Sequence, residues 1–264
     1  MSEFPKSVVC LTEESVEFLY DIGREDLIVG VSSFVKRPER AKQKPTVSTF
    51  THANFKKIIG ASPDLVVGFS DIQKDIARNL IAEGLNVYIS NHRTLQGTLD
   101  FLSLLGRMVD ASELASEKIA EYQELWDKAK KRGRERTHRP KVYVEEWDDP
   151  QISGIQWFCE VVEACGGREI FGGKKAGSLA KERIVSASEV AERDPDIVLA
   201  SWCGKSVDTT SFSQREGWQD VQAVKNHQCF ELPSEIILQP GPALFKEAFR
   251  LVHDIFDRWE ENIV

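Results

Sequence analysis

The 264-residue chain is 41% hydrophobic and 29% charged, ordinary for a globular protein with room for one large or two small cores. A formal net charge of −8 argues against nucleic acid as the main partner, and no window approaches the ~18 uninterrupted apolar residues of a membrane span. Five cysteines (Cys10, Cys159, Cys165, Cys203, Cys229), odd in number and without CxxC or zinc spacing, point to reduced thiols. The opening MSEFPKSVVC lacks the basic, apolar and cleavage regions of a leader, so the chain as given reads as cytoplasmic, and as periplasmic if a leader has been trimmed.

Apolar runs and amphipathic stretches alternate through the first hundred residues. Ser7–Leu11 reads as a strand, and Thr12 opens T-E-E-S, a cap with acids in the first turn of a helix through Val16, Leu19 and Tyr20. Leu27–Val31 and Thr46–Thr49 read as strands, Asn54–Ile59 as a helix, and Leu65–Val67, Ile72–Glu83 and Val87–Ile89 as strand, helix and strand. From Thr94 to Gly133 two helices follow with no strand between. In the second, Ala115, Ile119, Tyr122, Trp126 and Ala129 form one apolar stripe on a helix roughly 30 Å long. The run from Lys128 to Lys141 holds eight Lys or Arg and one Glu, which suits the negative end of that helix better than a membrane or nucleic acid.

The second half resumes the alternation. Val142–Val144 is a strand that breaks into Glu145, Glu146, Trp147, Asp148 and Asp149 before Pro150 closes the segment. Phe158–Ala164 is a helix ended by Gly166-Gly167, and Ser186 or Ser188 caps the next one, which Asp194-Pro195 stops. Ile197–Ala200 and Gln228–Leu232 are strands. The last helix, Ala243 to Glu260, turns Phe245, Phe249, Val252 and Phe256 inward. This order predicts an α/β protein of two Rossmann-like lobes with mainly parallel sheets: residues 1–108, a linking helix and basic loop at 109–138, and residues 139–264.

Ligands of open α/β sheets bind beyond the carboxyl ends of the strands, which in two facing lobes line one cleft. That rule selects Glu13, Phe34, Phe50, His52, Asn91, His92 and Arg93 from the first lobe. From the second it selects Glu145, Glu146, Trp147, Asp148, Trp157, Trp202, Cys203, Lys205 and Gln239. Aromatic rings with acids, amides and histidines suit a sizeable ligand with an apolar body and polar edges. His52 and His92 with Glu145 and Asp148 make a weak metal set, since no pair has ligand spacing on one element. Cys203 beside Lys205, with His52 or His92 and Asp148, makes a candidate nucleophile, while Glu145 and Asp148 make candidate acid–base carboxylates. Neither G-x-G-x-x-G nor G-x-x-x-x-G-K-[ST] occurs, and Gly172-Gly173-Lys174-Lys175 follows no strand, which excludes the common nucleotide loops.

The succession TEES, GREDLIVGVSSF, NFKKIIGASPDLVVGF and GLNVYIS, with ASPDLVVGF at Ala61–Phe69 echoed by RDPDIVLA at Arg193–Ala200, resembles the helical-backbone periplasmic binding proteins. These are the substrate-binding proteins of vitamin B12, haem and iron–siderophore importers. The segments EEWDDP, SWCGK and LQPGP are similar to the cobalamin-binding branch. The resemblance spans almost the whole chain. It implies a rigid two-lobed clamp with no required cofactor and a bound corrinoid (cobalt) or other metal chelate as ligand. Trp147, Trp157, Trp202, Phe34 and Phe50 would supply apolar walls, and Glu145, Asp148, Asn91 and Arg93 would bind amide or carboxylate edges.

Two features depart from that pattern. Importer-bound members carry a surface glutamate on each lobe that docks into permease arginines. Here Lys56 and Ser188 stand at those places, with Glu189 one residue off. A lysine facing arginines repels. Three readings follow: a cytosolic small-molecule binding protein with a corrinoid-like ligand, a cytosolic enzyme evolved from the clamp through Glu145, Asp148 or Cys203, and a conventional exported receptor whose leader has been removed.

Overall fold

The computed structural model describes residues 3–172 and 179–263. Most of the Gly172-Gly173-Lys174-Lys175 segment therefore lies outside the described residues. The chain divides into two compact units, Met1–His92 with Gln96–Tyr122 and Arg93–Leu95 with Gln123–Val264.

In the first unit the expected alternation becomes β1 (Val8–Cys10), α1 (Glu13–Asp21), β2 (Ile28–Ser32), β3 (Thr46–Ser48), α2 (Phe55–Gly60), β4 (Leu65–Phe69), α3 (Lys74–Ala82) and β5 (Val87–Ser90). The five strands are parallel in the order β3-β2-β1-β4-β5. The order reverses between β1 and β4, so the carboxyl ends of the central strands open onto one edge. Continuous apolar strands are what a sheet covered on both faces demands, and Val8, Val9 and Cys10 have no exposed surface. Val9, Leu11, Val47, Ile58, Val66, Ile76 and Leu80 form one core cluster. Asn54 caps α2 by accepting the Lys57 N–H at 3.1 Å. Thr12 stands at the cap position of α1 without capping it, because its hydroxyl turns to the Glu14 carboxylate.

Two long helices follow, α4 (Leu95–Met108) and α5 (Ser112–Arg134). The apolar stripe of α5 turns inward. Ala115, Tyr122 and Ala129 are buried, and Ile119 and Trp126 are half-buried. Lys131, Arg132 and Arg134 occupy its last turn, the favourable end for positive charge.

The second unit contains β6 (Lys141–Asp148), β7 (Gln151–Ser153), α6 (Gln156–Ala164), β8 (Arg168–Glu169), α7 (Ala187–Arg193), β9 (Ile197–Ala200), α8 (Gln222–Lys225), β10 (Cys229–Glu231), α9 (Ser234–Ile237) and α10 (Phe249–Ile263). The order is β10-β9-β6-β7, with β8 also on β6 and every pair parallel except β6–β7. Ser186, rather than Ser188, caps α7, in a reciprocal box with Glu189. Phe245, Phe249, Val252 and Phe256 are all buried, as their spacing predicts, although a single π turn, Leu244–Ala248, precedes α10.

One expectation is corrected. The first strand of this unit does not break after Val144. It runs on through the acidic and aromatic residues to Asp148 and folds back at a cis Asp149–Pro150 bond into β7. Glu145 pairs with Ser153, Trp147 with Ile152, and Asp148 with Gln151. The register shifts between Glu145 and Trp147, so the regular alternation of faces along β6 is interrupted there. A carboxylate inside a sheet is tolerated only when paired, and both glutamates are.

Candidate functional site

In the first unit the residues after the strands fall into two sets. Those of β1 hold the architecture. Glu13 is 2% exposed, and its Oε1 accepts the backbone N–H groups of Lys36 at 2.8 Å and Arg37 at 2.7 Å, so it anchors the loop after β2 rather than facing solvent. Burial pushes its pKa up to about 7, against those two hydrogen bonds and with help from the charges of Glu17 and Glu14. Burial also takes Glu14 up to about 7, opposed by the Thr12 hydroxyl. The expectation that Glu13 is a ligand contact is thus corrected.

The other ends are more open. Phe34 is 40% exposed after β2, and His52 is exposed after β3 with Nδ1 2.8 Å from the Thr51 hydroxyl. Phe50 is half-buried. Its carbonyl accepts from the buried Gln73 amide at 3.0 Å, and the same amide's oxygen accepts the Phe69 N–H at 2.9 Å. Gly68 leaves the room for this link, since a Cβ there would strike Gln73. Ser70, after β4, adopts φ 68° and ψ 167°, a conformation costly for a residue other than glycine. Its carboxyl-end loop is held by the Ser70 N–H donating to Ser90 O at 2.6 Å. After β5, Asn91 is exposed, while His92 is half-buried with Nδ1 2.7 Å from the Ser90 hydroxyl and its ring stacked on Phe101.

In the second unit the strand ends of β6 and β9 form a layered assembly. At its base Glu145 has no exposed surface and meets Arg215 through both oxygens, at 2.5 and 2.9 Å. The guanidinium lies over the rings of Phe212 (4.4 Å) and Trp218 (4.6 Å). The Trp202 indole N–H donates to Glu145 at 3.2 Å. Above Trp202, Lys205 places its Nζ 4.7 Å from the Trp202 ring and 5.5 Å from the Trp147 ring, and pairs with Asp148 at 2.6 Å. Burial works to raise the Asp148 pKa, but the hydrogen bonds from Lys205 and the backbone, with the charges of Lys205 and Arg215, bring it below the ordinary carboxylate value. Trp147 is half-buried, its N–H donating to Asp149 O at 3.0 Å. Cys203 is exposed in the tight turn between Trp202 and Lys205, where Gly204 takes φ 74°.

Several expected site residues are interior. Trp157 is 3% exposed and its indole donates to Ile237 O at 2.9 Å, which makes it a core pin rather than a ligand wall. Trp202 is also 3% exposed, within a cluster that includes Tyr143, Phe212 and Trp218. Glu146 pairs with the buried Arg183 at 2.7 Å and fastens the β6–β7 hairpin. Gln239 is half-buried, its carbonyl accepting the Gly241 N–H, and Arg93 is half-buried in the short stretch 93–95.

The metal set tied to these residues is corrected. Among the described residues no group of three His, Cys, Asp or Glu side chains could hold a metal ion, and two of the four proposed ligands, Glu145 and Asp148, are engaged by Arg215 and Lys205. Arg215 and Gln151 complete the assembly, and sequence reasoning missed both. The flanking Phe212 and Trp218 hinted at a stacked arginine, but its partner lies seventy positions away. A pocket of about 490 Å³ lies elsewhere in the first unit, lined by Val29, Pro45, Thr46, Val47, Lys57 and Ala61, at the amino end of β3.

Residues 8–236 match the family described as periplasmic binding protein. The chain belongs to this family. It is 27% identical over 236 residues to a vitamin B12-binding protein of Vibrio campbellii, covering 88% of this chain and 83% of that one. Among solved structures it is similar to the periplasmic vitamin B12-binding protein of Vibrio cholerae (TM-score 0.77, 20% identity, 97% and 98% of the two chains). It is similar also to a periplasmic heme-binding protein from Roseiflexus sp. RS-1 (TM-score 0.82, 18% identity, 96% and 99%). At these identities the structural likeness speaks for the fold. No described helix is long and apolar enough to cross a membrane.

Proposed function

We propose that this protein binds a corrinoid, or a related metal chelate fringed with amides, against the strand ends of its second unit. The observation that carries this reading is the Asp148–Lys205 pair seated beside the half-exposed Trp147 ring. A salt-bridged acid and base present an acceptor and a donor side by side with their charges compensated, which matches the C=O and NH2 of a primary amide. A carboxylate-fringed macrocycle such as haem would instead favour an uncompensated cation. The indole supplies an apolar face for the body of the ligand. The vitamin B12-binding relatives support the same choice.

Exposed Lys56 and Ser188 support a binding role without permease docking. The odd count of five cysteines, with no disulfide between them and Cys203 exposed, supports a reducing, cytoplasmic compartment. Absorbance titration with cyanocobalamin, dicyanocobinamide and hemin tests the ligand. Saturable binding of the corrinoids with weak or no hemin binding is expected. A preference for hemin, or no corrinoid response up to high micromolar, would remove the proposal.

A further inference from the structure

Glu145 has a place in the sequence that suggests chemistry and a place in the structure that forbids it. A carboxylate offers about four acceptor sites. Here four donors occupy them: Arg215 Nη1 at 2.5 Å and Gln151 Nε2 at 3.5 Å on Oε2, Arg215 Nη2 at 2.9 Å and Trp202 Nε1 at 3.2 Å on Oε1. With no surface exposed and no acceptor site left, Glu145 has nothing to offer a ligand.

Its donors come from three separate segments. Gln151 belongs to β7, the return strand of the hairpin that carries Trp147 and Asp148. Trp202 begins the turn that carries Lys205. Arg215 follows the short 3-10 segment Thr209–Gln214, and its guanidinium lies over the rings of Phe212 and Trp218. An ion pair this deep is a poor device for stability, because an apolar replacement of both partners often serves as well. It is a good device for fixing geometry: a planar guanidinium meeting a planar carboxylate through two bonds sets the orientation of both.

We propose that Glu145 is a positioning residue that locks the Trp202 ring and the β7 return, so that Trp147, Asp148 and Lys205 are held ready before any ligand arrives. The inference rests on the reading that this surface contacts the ligand. Trp202 is the link, since its indole edge is bonded to Glu145 while its face carries Lys205.

The test uses the whole chain and two readouts. In ligand-free protein the Trp202 indole ¹H–¹⁵N resonance, assigned with Trp202→Phe, should shift in Glu145→Gln. Dicyanocobinamide should bind that variant at least tenfold more weakly than the wild type. The double variant Glu145→Leu with Arg215→Met removes both charges. It should fold with a melting temperature near that of the wild type yet show the same loss of affinity, which separates positioning from stability. Should Glu145→Gln fail to fold, the double variant and Trp202→Phe carry the test, the latter losing several-fold in affinity. An unmoved indole resonance with unchanged affinity, or a double variant that binds like the wild type, would overturn the proposal. A wild-type protein that binds none of the chelates defeats the functional reading instead, while the ligand-free indole shift still decides whether Glu145 positions Trp202.

Discussion

Gly133, in the last turn of α5, lies with its backbone directly against that of Gly166, just beyond α6. Cβ atoms added at Gly133 would come within 2.7 Å of the Gly166 nitrogen and 2.8 Å of the Cys165 carbonyl carbon. Gly166 also sits at φ +90°, where a side chain is strained whatever the space. Alanine at 133 gains about 1 kcal/mol of helix propensity but must push one backbone from another. Overpacking of this kind costs about 1–3 kcal/mol. Gly133→Ala should therefore lower stability, and Gly133→Val more so, in chemical denaturation.

Acid should weaken the packing of α10 on the end of α5. His253 is buried, with Nε2 3.2 Å from the Ala129 carbonyl and Nδ1 facing the Arg136 guanidinium. Burial, then the charge of Arg132, brings its pKa down to about 4 against the Ala129 hydrogen bond, with Arg136 adding to the fall. Between the reference value of 6.5 and about 4 the unfolded chain binds a proton that the folded chain refuses. Stability contributed here is complete above that window and falls as pH drops through it. His253→Gln should flatten this limb in melting temperatures measured from pH 7 to pH 4.

Glu13 and Glu14 should act in the opposite sense. Each rises from a reference of 4.5 to about 7, so across that range the folded chain keeps protons that the unfolded chain gives up. Their contribution to stability declines as pH rises from about 4.5 to about 7. Glu14→Gln removes one ionisation and should raise stability at pH 8 relative to pH 5. An unchanged difference between the two pH values would refute the assignment.

The tryptophans should separate into structural and binding roles. Trp157→Ala empties a core site and loses the Ile237 hydrogen bond, a cost of about 3–5 kcal/mol by the precedent of large-to-small core changes. Trp147→Ala removes a half-buried ring at the proposed contact. It should weaken cobinamide binding about tenfold or more while leaving the denaturation midpoint nearly unchanged.

The alternation of apolar runs with amphipathic stretches marked the strands and helices of both units because each signal is local. A strand such as Leu65–Phe69 shows its own burial in its own composition. Gly166-Gly167 marked a helix end for the same reason, and Ser186 or Ser188 marked a helix start. What stayed hidden depended on partners distant in sequence. KVYVEEWDD read as a strand that breaks, because nothing beside Glu145 reveals that Arg215 will neutralise it. Trp157 and Trp202 read as walls because a tryptophan after a strand looks the same whether its face meets a ligand or its own core. Glu13 read as a ligand for want of any sign that the backbone of Lys36 and Arg37 would close over it.

The six tryptophans, Trp126, Trp147, Trp157, Trp202, Trp218 and Trp259, all belong to the second unit, and the first has none. Excited at wavelengths that spare tyrosine, the first unit is optically dark. Every change in red-edge emission during unfolding or titration therefore originates in one half of the molecule. Paired with far-ultraviolet circular dichroism, which sees both halves, the native chain carries its own reporter of whether the two units melt together or in turn.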